Sequence, residues 1–273
     1  MKAIVNSPVC PLMSQPRRDC EMADEALFGM VVDVLERTTS GYCRVRTHYR
    51  YEGYACVDDL ILSDERAGWW AGLPKKVVFH KNTCDVMADP KVQSRQLVTL
   101  PRGAVVSPVG EAEGGWQRTA LPDGREGYLR ASWLGEYFDA PPALPEEELR
   151  RRIVETAMLY AGTQYRWGGK SPLGIDCSGL TSMAYLLNGI LIYRDARIVE
   201  GFPVREISRE EMKPGDLLFF PGHIALYMGG GRYCHSTGRA GDDGFTVNSL
   251  DPSAPDYRAD LAEQITQVGS YFR

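Results

Sequence analysis

The sequence predicts an α+β chain: two small all-β barrels, then a mixed α+β unit. Three observations carry that reading. Residues 1–140 hold short alternating apolar runs, rich in Val, Tyr and Thr and closely spaced between turn residues, as in small barrels or sandwiches. The same stretch contains a weak internal repeat. Near residue 140 the chain changes character, after the compositional linker Asp139-Ala-Pro-Pro-Ala-Leu-Pro145.

The expected boundaries are 1–72 and 73–140 for the barrels and 141–273 for the third unit. A chain of 273 residues fits two domains, with one or three also admissible. Strand runs are Gly29-Met-Val-Val-Asp-Val-Leu35, Tyr42-Cys-Arg-Val-Arg-Thr47 and Lys75-Lys-Val-Val-Phe79. In the repeat, Tyr51-Glu-Gly-Tyr54 answers to Arg125-Glu-Gly-Tyr128. Asp59-Leu60 answers to Trp133-Leu134, and Gly29-Met-Val-Val32 to Gly103-Ala-Val-Val106. Trp69-Trp70 reads as packing.

In the third unit, Leu149, Ile153, Val154, Ala157 and Tyr160 recur at helical spacing over 146–160. Glu146, Glu147 and Glu148 fill the first turn, where the helix dipole favours anions, and Gly162 stops the helix. A second helix is expected over 176–187, ended by Gly189. Residues 213–220, 223–228 and 232–236 read as an antiparallel meander turning at Pro221-Gly222 and Gly229-Gly-Gly231. Residues 265–268 are one more candidate strand.

Composition narrows the function. Hydrophobic residues make up 44% and charged residues 25%, as in an ordinary globular protein. Lys+Arg 31 against Asp+Glu 36 gives −5, with no dense basic cluster, so no nucleic-acid partner is expected. With no run of 18 uncharged apolar residues, no membrane span is expected. The N-terminus shows no apolar leader core. The expectation is a cytoplasmic protein with no obligate protein partner; removal of a leader would make it secreted or periplasmic. The seven cysteines are an odd number without a CxxC pair, which argues against structural zinc. Free thiols are the simplest account; a disulfide such as Cys10–Cys20 is the alternative.

Cys177 stands where the Gly-rich loop 165–174 meets the second helix. Helix-start N–H groups and the positive dipole end lower a thiol pKa and can hold a developing oxyanion. A small apolar residue at a helix start is the plain alternative. His223 follows 46 residues later (223 − 177) and His235 another 12 later (235 − 223), on adjacent expected strands. The turn between those strands can bring both rings to one face. Only four His occur in the chain. Cys177, His223 and His235 fit a nucleophile, a base and its orienter, or a metal site.

The motifs Tyr165-Arg-Trp-Gly-Gly169, Gly174-Ile-Asp-Cys-Ser-Gly-Leu180, Pro214-Gly-Asp-Leu-Leu-Phe219, Gly222-His-Ile-Ala-Leu-Tyr227 and Cys234-His-Ser236 occur in that order. In this order they resemble the NlpC/P60 cysteine peptidases of bacterial cell-wall metabolism, over roughly residues 145–273. The resemblance implies a papain-like α+β core with Cys177 as nucleophile, His223 as base, His235 as orienter and Tyr165 polarising the scissile carbonyl. It implies no metal and no organic cofactor.

The front half resembles the branch of that family that carries bacterial SH3-like barrels. Members resemble γ-D-glutamyl-L-diamino-acid endopeptidases acting on muropeptides with a free N-terminal L-Ala. The resemblance implies that Tyr51, Asp176 and a barrel acid, for which Glu25 is the candidate, grip the substrate ammonium. Arg125 replaces the tyrosine in the second barrel, so that barrel cannot make the same contact. Asp176 also suits a helix N-cap, Tyr51 suits a core and Glu25 a solvated surface. Ser178 and Trp167 flank the site as substrate contacts or as packing. A site built for an ammonium leaves its acids unpaired when the amine is acylated, which costs about 1–3 kcal/mol per buried group. Two other functions compete: a broader wall hydrolase anchored by its barrels, and a non-catalytic peptide-binding module.

Overall fold

The computed structural model describes residues 1–272 of the chain. The chain forms two compact units, Met1–Tyr137 and Phe138–Arg273.

The first unit opens with β1 (Lys2–Val5), β2 (Val9–Met13), β3 (Met22–Leu27), β4 (Val31–Arg37), β5 (Tyr42–Thr47), β6 (Glu52–Cys56) and β7 (Leu60–Leu62). They make an antiparallel sheet in the order β3-β2-β6-β5-β4-β1-β7. Helix α1 (Asp64–Ala71) follows. Then come β8 (Lys76–Val78), β9 (Thr83–Met87), β10 (Gln96–Pro101), β11 (Val105–Pro108), β12 (Trp116–Ala120), β13 (Glu126–Arg130) and β14 (Leu134–Glu136). Their order is β10-β9-β13-β12-β11-β8-β14, which is the first order with seven added to every strand.

The weak sequence repeat is thus a repeat of topology. Gly29 (φ +80°) donates to Val5 O at 2.9 Å, and Gly103 (φ +91°) donates to Val78 O at 2.9 Å. Both turns need the left-handed backbone that glycine adopts freely. Glu52-Gly-Tyr54 and Glu126-Gly-Tyr128 open β6 and β13, which share one alternation of exposed and buried residues.

Residues 1–72 and 73–137 lie together in this unit, which ends at Tyr137 rather than at the expected residue 140. Helix α1 was not expected. Ser63 caps it, its hydroxyl accepting from Arg66 N at 3.1 Å, with Asp64 and Glu65 in the first turn. Trp70 is fully buried in one cluster with Ile4, Ala67 and Val105, and its indole N–H donates to Gly29 O at 2.8 Å. Trp69 stays 38% exposed beneath the Arg66 guanidinium.

The second unit contains α2 (Glu146–Met158), the hairpin β15 (Lys170–Ser171) and β16 (Gly174–Ile175), and α3 (Cys177–Leu186). Next come β17 (Arg205–Ile207), β18 (Leu217–Phe220), β19 (His223–Gly229), β20 (Arg232–Thr237), β21 (Gly244–Ser249), α4 (Ala259–Ala262) and β22 (Gln267–Ser270). The strands from β17 onward form an antiparallel sheet in the order β17-β22-β18-β19-β20-β21. Helix α3 packs on α2 and on β19 and β20.

The expected meander is present, but β18 starts at Leu217 rather than Lys213. Pro214-Gly215, with Gly215 at φ +90°, makes a turn in which Asp216 Oδ2 accepts from Lys213 N at 2.8 Å. Asp216 is fully buried and pairs with Arg150 of α2 at 2.8 Å and with Ser270 Oγ at 2.6 Å. The motif aspartate therefore pins the sheet to the helix layer. The last strand covers 267–270 rather than 265–268. All seven cysteines are free thiols, so the alternative Cys10–Cys20 disulfide does not form.

Candidate active site

The loop before α3 is held by Asp176. Its Oδ1 accepts from Gly179 N at 2.5 Å, capping the helix, and Oδ2 accepts from Gly168 N at 2.8 Å. The buried Arg194 donates to both oxygens, at 3.0 and 3.1 Å, and to Ser178 Oγ at 2.7 Å. Ser178 Oγ also donates to Asp176 Oδ1 at 3.2 Å. Asp176 is thus the N-cap that the sequence allowed, inside a buried ion pair that the sequence did not announce. Both of its oxygens already accept hydrogen bonds from the protein.

Cys177 is the first residue of α3 and 8% exposed. The expectation of a depressed thiol pKa is corrected. Burial pushes the thiol up to about 11, reinforced by the Asp176 carboxylate. Amide hydrogen bonds from Ile224 and Ser178 and the Arg194 charge pull the other way but do not win. The Ile224 amide also fixes where the sulfur lies, beside the start of β19.

His223 opens β19, and His235 lies in β20. The β19–β20 register pairs Leu226 with Cys234 and Tyr227 with Tyr233, so both imidazoles share one face as diagonal neighbours. His223 Nε2 and His235 Nδ1 are 2.8 Å apart. The β20–β21 register pairs Tyr233 with Asn248, which carries the diagonal one strand further. Asn248 Oδ1 lies 2.8 Å from His235 Nε2, and Asn248 Nδ2 donates to Asp256 O at 2.9 Å.

Burial lowers the pKa of His223 to about 3, with the His235 and Arg258 charges adding to the effect. Burial also lowers His235, against the hydrogen bond that its Nε2 donates to Asn248 Oδ1. Ser236 Oγ donates to Ile175 O at 2.7 Å, tying the strand of His235 to the segment before Cys177. Both ring nitrogens of His235 are spent on protein partners, so Cys177, His223 and His235 cannot converge on one metal ion.

Tyr165 feels the Cys177 and Asp176 charges, and its hydroxyl is pushed up to about 12, chiefly by burial. Trp167 is 60% exposed, and Ser178 is buried. In the first unit, Glu25 is buried in β3 rather than solvated, next to Asp24, whose Oδ2 accepts from Tyr49 OH at 2.5 Å. Tyr51 is half-buried just before β6, its backbone N donating to Thr47 Oγ1 at 3.0 Å. Asn248 and Arg194 were missed. The alternation in Phe245-Thr-Val-Asn-Ser249 was a usable signal for Asn248. Arg194 sits in an irregular stretch that offered none.

A thiol at a helix start, beside a sheet face that carries an imidazole pair, defines the class: a cysteine peptidase. A family model described as the NlpC/P60 family matches residues 162–258, and one described as bacterial dipeptidyl-peptidase Sh3 domain matches residues 12–60. The dipeptidyl-peptidase 6 of Lysinibacillus sphaericus is 45% identical over 275 residues, spanning 100% of both chains. The gamma-D-glutamyl-L-lysine dipeptidyl-peptidase of Bacillus subtilis is 36% identical over 127 residues, covering 40% of this chain and 41% of that one. A solved NlpC/P60 family protein from Bacillus cereus shares the fold, with TM-score 0.80 over 100% of both chains at 22% identity. The chain belongs to the NlpC/P60 family, and it is a cysteine peptidase acting on peptides of peptidoglycan.

Proposed function

We propose that the chain hydrolyses the bond between γ-D-Glu and the L-diamino acid in wall-derived peptides that begin with a free L-Ala, as a cytoplasmic step of muropeptide recycling. The observation that carries this reading is the end-to-end similarity to a dipeptidyl-peptidase 6, barrels included. The shorter match to a gamma-D-glutamyl-L-lysine dipeptidyl-peptidase supports the bond.

In this mechanism the Cys177 thiol gives its proton to His223 as sulfur attacks the γ-carbonyl. The oxygen of the tetrahedral intermediate is held by amides at the start of α3 and by the Tyr165 hydroxyl. His223 returns the proton to the leaving amine, then takes one from the water that releases the acyl group. His235 orients His223. Tyr51 and the buried Glu25 are the barrel's candidates for the ammonium, with Trp167 and Ser178 flanking the substrate. Asp176 joins them only by sharing oxygens that already bind Arg194 and two backbone amides.

Mass spectrometry of products from L-Ala-γ-D-Glu-diaminopimelate and its N-acetylated analogue tests the reading. The free amine should be cleaved to L-Ala-γ-D-Glu, and acetylation should remove cleavage. Equal cleavage of both would refute the ammonium clamp and favour a broader wall hydrolase. Turnover surviving in Cys177→Ala would refute the chemistry.

A further inference from the structure

The sheet carries a hydrogen-bond chain with a fixed direction. It starts at a backbone carbonyl, Asp256 O, which can only accept. Asn248 therefore turns its NH2 toward that carbonyl, at 2.9 Å, and its Oδ1 toward His235 Nε2, at 2.8 Å. An amide oxygen only accepts, so His235 Nε2 carries a proton. The ring is fully buried, and in a neutral imidazole the other nitrogen then accepts. His235 Nδ1 must take a hydrogen from His223 Nε2, 2.8 Å away. One nitrogen at the end of the chain is left without a proton: Nδ1 of His223.

We propose that Asn248 is a positioning residue that selects the reactive tautomer of His223 through His235, leaving His223 Nδ1 as the acceptor for the thiol proton. The inference rests on the assignment of Cys177 and His223 as the reacting pair. Asn248 touches neither of them in the contacts above; it acts through one ring on the next. Its own place is fixed by the β20–β21 register, opposite Tyr233, and by the segment around Asp256, whose carboxylate pairs with Arg232 at 2.8 Å.

An isosteric change separates this role from simple packing. In Asn248→Asp both side-chain oxygens accept. One faces the Asp256 carbonyl unfavourably, while the other favours a doubly protonated His235. That ring then donates from Nδ1 to His223 Nε2, and the single His223 proton moves to Nδ1, where it blocks proton uptake. The other charges acting on these rings are Arg258, which opposes protonation of both, and Asp242 and Asp260, which favour it at His235. The new carboxylate adds to the latter pair. Because the active form has neutral His235, activity must fall as pH drops through the raised pKa of that ring.

The test has two arms. Long-range proton–nitrogen NMR of the wild-type imidazoles should show Nε2–H on both His223 and His235 at neutral pH. The pH profile of kcat/KM on L-Ala-γ-D-Glu-diaminopimelate should have its acid limb displaced upward by about one unit or more in Asn248→Asp, a shift worth about 1.4 kcal/mol between protonation states. In Asn248→Leu, kcat should fall on the order of 10²-fold with KM within twofold. That is less than the ~10⁴ a wrong tautomer costs a serine triad, because both tautomers stay populated. Nδ1–H on wild-type His223, or an Asn248→Asp profile superimposed on wild type, would overturn the proposal. If the wild type does not cleave this peptide, the substrate reading fails instead, and NMR with the pH dependence of Cys177 alkylation still decides the tautomer.

Discussion

At the scale of single residues, the site is a contest between burial and local dipoles. A helix start alone would favour a thiolate at Cys177. The thiol instead rises to about 11 and His223 falls to about 3, so burial works against the charged form of each group. Under the proposed mechanism, ionisation should therefore accompany attack rather than precede it. The alkylation rate of Cys177 by iodoacetamide should climb about tenfold per pH unit from 7 to 10, since the thiolate is the nucleophile. A plateau below pH 8 would mean a resting thiolate–imidazolium pair. Stability carries the same signature. Between the ordinary value of 6.5 and about 3, the unfolded chain protonates His223 while the folded one does not. The melting temperature should therefore drop as pH falls through that window. The approach of His223 to His235 was legible in the sequence because residue type and strand parity were enough to align the two rings. The alternation over 245–249 marked the face of Asn248 but not its partner, which depends on the register of β21 across the 238–243 loop. Arg194 becomes meaningful only once the Asp176 carboxylate is known to be buried.

At the scale of elements, α3 presents Cys177 because its first turn presses on the Gly168-Gly169 turn. A methyl group on Gly179 would run into Gly169 O, with Asp176 Oδ1 3.0 Å away. A backbone carbonyl cannot swing aside like a flexible side chain. Gly179→Ala should therefore cost about 1–3 kcal/mol and shift the sulfur from the Ile224 amide, lowering kcat more than tenfold by the loss of alignment. Gly68 in α1 is the matched control, with open space where its Cβ would stand. There alanine should gain about 0.5–1 kcal/mol. Urea titration with kcat for both variants checks the pair; equal behaviour would refute the packing argument. The motif spacing disclosed this helix start, but not why Gly179 must be glycine, because the opposing carbonyl comes from ten residues earlier. Helix α1 escaped because eight residues with adjacent tryptophans read as packing, although Ser63-Asp-Glu carried its cap.

At the scale of the whole molecule, the repeat explains the first unit and Trp70 explains why its halves are not independent. The sequence reading separated two barrels at residue 72. In the structure Phe28, from the first barrel, lies in the core cluster of the second with Val78, Val86, Leu100 and Leu129. Val105 N donates to Phe28 O at 2.8 Å, and a methyl on Gly29 would strike Val105 O. Such contacts fall at strand ends, where periodicity says nothing about the partner. Trp70 joins this seam from α1, filling the space between Ile4 of β1 and Val105 of β11 and bonding Gly29 O. Trp70→Ala should destabilise the unit by about 3–5 kcal/mol, through lost burial and the cavity left behind. The loss should reach both barrels, because the cavity opens onto strands of each. Trp69→Ala, removing a partly exposed ring and its stacking on Arg66, should cost only about 0.5–1 kcal/mol. Native-state hydrogen exchange reads the difference strand by strand. Protection should fall together in β1, β4, β8 and β11 of the Trp70 variant, whereas loss confined to β1–β7 would show two barrels that unfold separately.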